Sequence, residues 1–192
     1  ALLKFQPVLS ISQTADAGWR VSESAPLLAG PEGCRVNSES RALANGKVTI
    51  WKRAGCKFAP GSGRLFVIGN SHALGYSPML RQFALDTGHE VRLYFRSGCG
   101  YLVLNEPMDS LSTCRDYFKA AQSELRSELS PQDILFMPSL RLDQGEDQWG
   151  KSKAFTDQYR AASAMSEARR ILTEFRNKNR ALLVFEAPKP IV

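Results

Sequence analysis

From Arg64 onward the sequence alternates short apolar runs with segments of helical spacing, and this alternation restricts the fold more than any other feature. Strands are predicted at residues 64–68, 90–95, 133–137 and 180–185, and helices at residues 73–87, 115–129 and 156–177. A strand, a helix and another strand in succession form a βαβ unit, in which helices cover both faces of a parallel sheet. The sequence therefore predicts an α/β fold with a mostly parallel sheet.

The first third of the chain has a different character. Residues 1–62 are irregular and rich in Ser, Gly and Pro, with one alternating segment at residues 47–53 that predicts a strand. The breakers Pro60, Gly61 and Gly63 mark a boundary. We expect an N-terminal extension, residues 1–62, packed on a domain formed by residues 63–192.

Composition narrows the classes of function. The 192 residues are 43% hydrophobic and carry a formal net charge of +6, but the cations are scattered and not interleaved with aromatic residues. This argues against nucleic-acid binding, whereas a basic surface suits an acidic substrate or an anionic membrane. The sequence lacks an apolar run of about 18 residues, which predicts no membrane-spanning helix, and we expect any export signal or anchor to lie outside it.

The four cysteines are Cys34, Cys56, Cys99 and Cys114, and they lack the paired spacing of a zinc site, so no metal is predicted. A Cys99–Cys114 disulfide would close a loop of roughly 15 residues and contribute about 3 kcal/mol. Cys34 and Cys56 then form the second pair. Other pairings, and four reduced thiols in a reducing compartment, are the alternatives.

A serine stands where the first strand of the alternating region ends, in the run Gly69-Asn70-Ser71-His72. Ligands of parallel sheets bind at the carboxyl ends of the strands, so this is the position of a nucleophile whose attack generates an oxyanion. The alternative is that Ser71 only caps the following helix. The run also nearly fits the G-x-S-x-G elbow, but Ala73 replaces the last glycine.

Three sequence blocks together carry a family resemblance. They are "VIGNSHA" around Ser71, the cysteine-containing glycine loop "RSGCGYL", and the late "LVFEAPKP". The chain resembles the SGNH, or GDSL-like, hydrolases, and most of all the SGNH domains fused to acyltransferase-3 membrane proteins, which include O-acetyltransferases of lipopolysaccharide O-antigen. The resemblance implies a three-layer, flavodoxin-like fold.

The resemblance also implies roles for individual residues. Ser71 is the expected nucleophile and its N–H the first oxyanion donor, with Gly100 or Gly98 supplying the second, although both glycines also suit simple turns. The family's third-block Asn is absent, so Ser139 or Arg141 is expected as a donor, the alternative for Arg141 being a surface residue. Asn70, His72 and Ser139 are expected to contact substrate, the alternative for His72 being a satisfied side chain at the start of the helix.

A serine nucleophile needs a base, and the family takes it from an Asp-x-x-His that this sequence does not contain. His72 is adjacent to Ser71, and neighbouring helical side chains diverge by about 100°. His89 lies in a turn at the opposite sheet edge, and a Ser-Lys arrangement with Lys189 has no other support. We expect the Asp and His to lie in a segment outside this sequence, the alternative being a domain that binds without catalysing.

The resemblance thus implies a periplasmic domain of a bacterial inner-membrane protein that passes an acetyl group through Ser71 to a sugar hydroxyl of O-antigen or a similar glycan. It implies no cofactor on this domain, with acetyl-CoA used by an attached acyltransferase-3 membrane domain. The alternatives are a free-standing carbohydrate esterase and a non-catalytic glycan-binding module. A dinucleotide-binding domain is disfavoured because no G-x-G-x-x-G follows a strand.

Overall fold

The computed structural model describes residues 27, 30–57, 62–102, 107–138 and 158–185, without the side chains of residues 158 and 160. Six strands lie in this part of the chain: β1 (Arg35–Leu43), β2 (Gly46–Ala54), β3 (Arg64–Gly69), β4 (Glu90–Phe95), β5 (Ile134–Met137) and β6 (Leu182–Phe185). The α-helices are α1 (Ser71–Leu74), α2 (Ser77–Thr87), α3 (Arg115–Glu128) and α4 (Gln158–Glu174). A 3₁₀ turn (Met108–Ser110) and a π-helical turn (Phe175–Asn179) complete the elements.

The six strands form one sheet in the order β1-β2-β4-β3-β5-β6. Strands β4, β3, β5 and β6 are parallel, and β1 and β2 are antiparallel additions beside β4. The parallel strands follow the flavodoxin-like order, in which the first strand lies between the second and the third. The predicted α/β fold with a mostly parallel sheet is confirmed.

Alternate residues of each central strand face opposite sides of the sheet, which separates two hydrophobic cores. In β3, Phe66 and Ile68 belong to the core beneath α3 and α4, whereas Leu65 and Val67 belong to the core beneath α1 and α2. Helices therefore cover both faces of the sheet, as the strand-helix alternation requires.

The segment expected to be irregular contains a β-hairpin, because Arg35–Leu43 is a strand that the sequence analysis missed. The strand predicted at residues 47–53 is β2, and a two-residue loop, Ala44 and Asn45, joins it to β1. A Cβ on Gly46 would lie 2.7 Å from the Tyr117 ring and 2.8 Å from the Phe95 carbonyl oxygen, so the hairpin packs closely on the sheet. The domain boundary at residue 62 stays a prediction.

The prediction of a single helix at residues 73–87 was wrong in one respect. The chain forms two helices, with a break at Gly75 and Tyr76. Pro78 at the start of α2 has no N–H to continue the α1 hydrogen-bond ladder. The Ser77 hydroxyl instead donates to the Leu74 carbonyl over 2.6 Å. The other predicted elements are confirmed within a few residues, with α4 ending in the π-helical turn.

Both expected disulfides are present: Cys34 is bonded to Cys56, and Cys99 to Cys114. The first joins the residues that flank the β1–β2 hairpin. The second joins the loop after β4 to the start of α3, and both of its cysteines are buried. Among the described helices, none is long and apolar enough to cross a membrane.

Candidate active site around Ser71

Ser71 follows β3 directly, at the carboxyl edge of the sheet. Strand β3 is flanked by β4 on one side and by β5 on the other. The order of the parallel strands along the sheet therefore changes direction at β3. This is the topological switch point, where flavodoxin-like sheets bind their ligands. The Ser71 side chain is exposed, and no other described residue hydrogen-bonds its hydroxyl.

The residue that caps α1 is Asn70, not Ser71. The Asn70 backbone is extended, and its Oδ1 atom accepts a hydrogen bond from the His72 N–H over 3.0 Å. Ser71 is therefore the first helical residue, whose N–H has no acceptor within the helix. The alternative interpretation of Ser71 as a helix cap is wrong, and its hydroxyl is not needed to begin the helix.

The loop after β4 lies beside this turn. The Arg96 N–H donates to the Gly69 carbonyl over 3.3 Å, which extends the β3–β4 pairing one step past the strands. The Cys99 N–H then donates to the Arg96 carbonyl over 3.2 Å and closes a β-turn. The turn and the Cys99–Cys114 disulfide hold this loop against the residues that precede Ser71.

Both candidate oxyanion glycines lie in this loop. Gly98 is exposed and has φ +73°, a left-handed conformation that favours glycine at this position of the turn. A Cβ there would meet no atom within 4 Å, so backbone conformation alone explains the glycine. Gly100, two residues further along the loop, is buried. The turn accounts for Gly98 structurally, and the oxyanion role of either glycine stays a prediction.

The two histidines differ in their distance from the site. The His72 ring packs edge-on against Tyr76, with ring centroids 5.6 Å apart, and Tyr76 packs against Phe136 of β5 in the same way at 5.3 Å. His72 thus lies beside Ser71 on the β5 side. His89 precedes β4 at the amino edge of the sheet, where its ring contacts Phe83. Neither histidine hydrogen-bonds Ser71 among the described residues.

Three residues named in the sequence analysis lie outside the described residues: Ser139, Arg141 and Lys189. Their roles stay predictions. Asn70 and His72 are brought to the site, and their substrate contacts also stay predictions. Within the described part of the chain, no group of three or more His, Cys, Asp or Glu residues could hold a metal ion.

The amino edge of the sheet, opposite Ser71, is closed by ion pairs. Arg64 contacts Glu128 and the buried Asp133, and Arg92 contacts Glu90 and Glu128. Burial raises the pKa of Asp133, but hydrogen bonds from Arg64 and Ser130 outweigh it and leave that pKa below its ordinary value. This edge holds its charges in a fixed network.

Comparison with known proteins identifies the family. A family model described as the SGNH domain, fused to AT3 domains, matches residues 33–192. This range contains all six strands and Ser71. No curated protein matches the sequence.

Proposed function

The chain belongs to the SGNH domains that are fused to AT3 domains, and from that premise we propose that Ser71 carries an acetyl group to a sugar hydroxyl. A domain of this family is hydrolase-like and associated with an acyltransferase. The acceptor that we propose is lipopolysaccharide O-antigen or a similar cell-surface glycan. The observation that carries the proposal is that Ser71 is exposed at the switch point. Ser71 begins a helix that the Asn70 side chain caps.

The proposed chemistry has two steps. Ser71 Oγ gives its proton to a base and attacks the carbonyl carbon of the acyl donor, and the resulting tetrahedral oxyanion collapses and expels the protonated leaving group. A sugar hydroxyl then attacks the acyl-serine, forms a new ester and returns the proton to Ser71. The base is supplied from outside the described residues in this proposal, since neither histidine reaches the Ser71 hydroxyl.

Stabilisation of the oxyanion falls to backbone groups. The Ser71 N–H has no acceptor within α1, and the loop that contains Gly98 and Gly100 is fixed beside it. Fixed donors need little reorganisation when charge develops on the substrate oxygen. Helix α1 contains only four residues, so these individual N–H groups matter more than any helix dipole.

The family description supports an acyltransferase-3 transmembrane domain as a partner in the same polypeptide. We propose that this partner takes the acetyl group from acetyl-CoA and that the present domain faces the periplasm. The two disulfides support this compartment, because disulfides persist in oxidising environments. Water as the second-step acceptor would make the domain a carbohydrate esterase of the same fold.

The first test is covalent labelling of the natural full-length protein with a fluorophosphonate, followed by peptide mass spectrometry. We expect one adduct on Ser71, none in the Ser71→Ala variant, and undiminished labelling in Ser112→Ala, which removes an exposed serine outside the site. Hydrolysis of p-nitrophenyl acetate should fall at least about a thousandfold in Ser71→Ala. An unlabelled Ser71 in a folded protein would contradict the proposal.

The second test separates transfer from hydrolysis. The protein is supplied with an acetyl donor and de-O-acetylated O-antigen polysaccharide, and ester formation on the sugar is measured against acetate release. We expect ester formation that depends on Ser71. Acetate release alone, unchanged by polysaccharide, would assign the esterase activity instead.

A further inference from the structure

One arginine near Ser71 has no carboxylate partner among the residues that the structure describes. Arg96 follows the last residue of β4, and its side chain is half-buried. Its Nε atom is shielded from solvent and makes no hydrogen bond. No carboxylate in the described residues forms an ion pair with its guanidinium.

Three other partly buried arginines in the described part of the chain have carboxylate partners, and Arg53 donates to the backbone carbonyls of Leu85 and Asp86. Arg64 pairs with Asp133, Arg92 with Glu90 and Glu128, and Arg126 with Glu174 at 2.9 Å. Even the more exposed Arg41 pairs with Glu124. Arg96 departs from this pattern, and it does so at the carboxyl edge, where Ser71 lies.

The contrast has an energetic meaning. A guanidinium stays protonated in proteins, so it cannot escape the cost of burial by losing its charge. The shielded Nε–H of Arg96 has lost water without gaining a partner, which is unfavourable for a cation. An anion that reaches the guanidinium would remove this cost. The planar donors of the guanidinium match the two oxygens of a carboxylate or phosphate.

The position of Arg96 relative to Ser71 is fixed by the backbone. Its N–H bonds to the Gly69 carbonyl, two residues before Ser71, and its carbonyl accepts from the Cys99 N–H. The Cys99–Cys114 disulfide anchors the far end of the turn. These three constraints hold the Arg96 backbone beside the residues that precede Ser71.

We propose that Arg96 binds an anionic group, a carboxylate or phosphate, on the glycan that the Ser71 site acylates, so that the site selects acidic over neutral sugars. This rests on the proposed function, because it takes a glycan as the acceptor. Arg96 is a specificity residue in this proposal and takes no part in the attack of Ser71 on the acyl donor.

The test uses three acceptor probes with the natural full-length protein: galacturonic acid oligosaccharides, phosphorylated mannose oligosaccharides and neutral galactose oligosaccharides. The variants are Arg96→Gln, Arg96→Lys and, as the matched control, Arg169→Gln, which removes an exposed arginine on α4. Relative kcat/KM is measured for each probe, together with hydrolysis of p-nitrophenyl acetate, which has no anionic group to bind.

We expect the wild-type protein to prefer at least one anionic probe, and Arg96→Gln to reduce kcat/KM for that probe about 10- to 100-fold. Values for the neutral probe and for p-nitrophenyl acetate should stay unchanged in Arg96→Gln. Arg96→Lys should recover part of the loss, since lysine keeps the charge without the planar donors. Arg169→Gln should match the wild type throughout.

An anionic preference that Arg96→Gln leaves intact would overturn the proposal, and so would a wild-type protein that shows no preference for either anionic probe. Equal losses on p-nitrophenyl acetate would also overturn it, because Arg96 would then act on every substrate. Fluorophosphonate labelling tests the proposed function separately from the role of Arg96. Binding of the probes to Ser71→Ala, with and without Arg96→Gln, reports on Arg96 even if fluorophosphonate labelling shows Ser71 to be unreactive.

Discussion

The two edges of the parallel sheet use charge in opposite ways. At the amino edge, Arg64 and Arg92 are paired with carboxylates, and the buried Asp133 accepts hydrogen bonds from both Arg64 and Ser130. At the carboxyl edge, the Arg96 guanidinium has no carboxylate and the Ser71 hydroxyl has no hydrogen bond among the described residues. Among the described residues, the arginines and carboxylates at the amino edge are thus paired with one another, whereas the arginine at the carboxyl edge is not.

If the proposed function holds, this difference separates the residues that stabilise the domain from those that act on a ligand. Buried polar groups are ordinarily hydrogen-bonded, so a group left without a partner requires an explanation. At the amino edge the buried Asp133 is fully paired and the ion pairs fix the strands and α3, although the His89 Nδ1 atom there has no hydrogen bond. At the carboxyl edge lie the proposed nucleophile and the proposed donors, and the disulfide and backbone hydrogen bonds hold the loop that contains these donors.

The largest expected effect comes from breaking the amino-edge network with Asp133→Asn. This substitution leaves Arg64 without its buried partner, and breaking a buried ion pair costs about 3–5 kcal/mol of unfolding free energy. Urea unfolding measures the loss, with Asp109→Asn as an exposed control that should change little. Fluorophosphonate labelling of Ser71 should persist in the folded fraction. Loss of labelling in folded protein would show that the two edges are not independent.

Acid should weaken the same network less severely. Burial raises the pKa values of Asp133 and Glu90, but their hydrogen bonds and cationic neighbours leave both below the ordinary range. Their contribution is therefore complete above the unfolded-state values of about 4 and is lost as the pH falls below them toward the folded-state pKa. Urea unfolding at pH 7, 5, 4 and 3 should show this decline, and Asp133→Asn should flatten it. An equal slope in the variant would assign the acid sensitivity to other carboxyls.

The two disulfides test whether stability and the reactivity of Ser71 depend on different parts of the fold, because they close loops of similar length at different places. Replacing either pair by alanines should lower the unfolding free energy by about 3 kcal/mol. Only the Cys99→Ala/Cys114→Ala variant should also slow fluorophosphonate labelling of Ser71, since that disulfide holds the loop beside the nucleophile. The Cys34→Ala/Cys56→Ala variant is its matched control. Equal labelling rates in the two variants would show that the loop does not affect the reactivity of Ser71.

Much of the fold could be predicted because its parallel strands are buried and read as continuous apolar runs. Strand β1 could not, since it lies at the sheet edge with most of its residues exposed and shows no apolar alternation. A turn signal was present in Asn45-Gly46, a dipeptide typical of two-residue hairpin loops, although the loop residues are Ala44 and Asn45. The break in the helix after Ser71 had a signal in Gly75 and Pro78, which the apolar spacing concealed.

The parts of the candidate site that depend on neighbouring residues in the sequence could be predicted. Ser71 could be placed at a strand end from the sequence alone, and the resemblance pointed to the glycine loop. The capping role of Asn70 needed the backbone conformation of the turn. Arg96 could not be distinguished from the other scattered cations, because a missing partner is a property of long-range contacts, which pair residues such as Arg64 and Asp133 across 69 positions.

The smallest expected effect tests whether the α1 cap serves stability or the position of Ser71. Asn70→Ala removes the oxygen that accepts the His72 N–H and should lower the unfolding free energy by about 1 kcal/mol. Asn70→Asp keeps an acceptor and is the control. Helix α1 is one turn long, so most of the disturbance should fall on its first residues, and labelling of Ser71 should slow in the alanine variant and recover in the aspartate variant. Equal labelling in all three proteins would mean that the β3 turn and the Arg96 hydrogen bond to Gly69 position Ser71 without the cap.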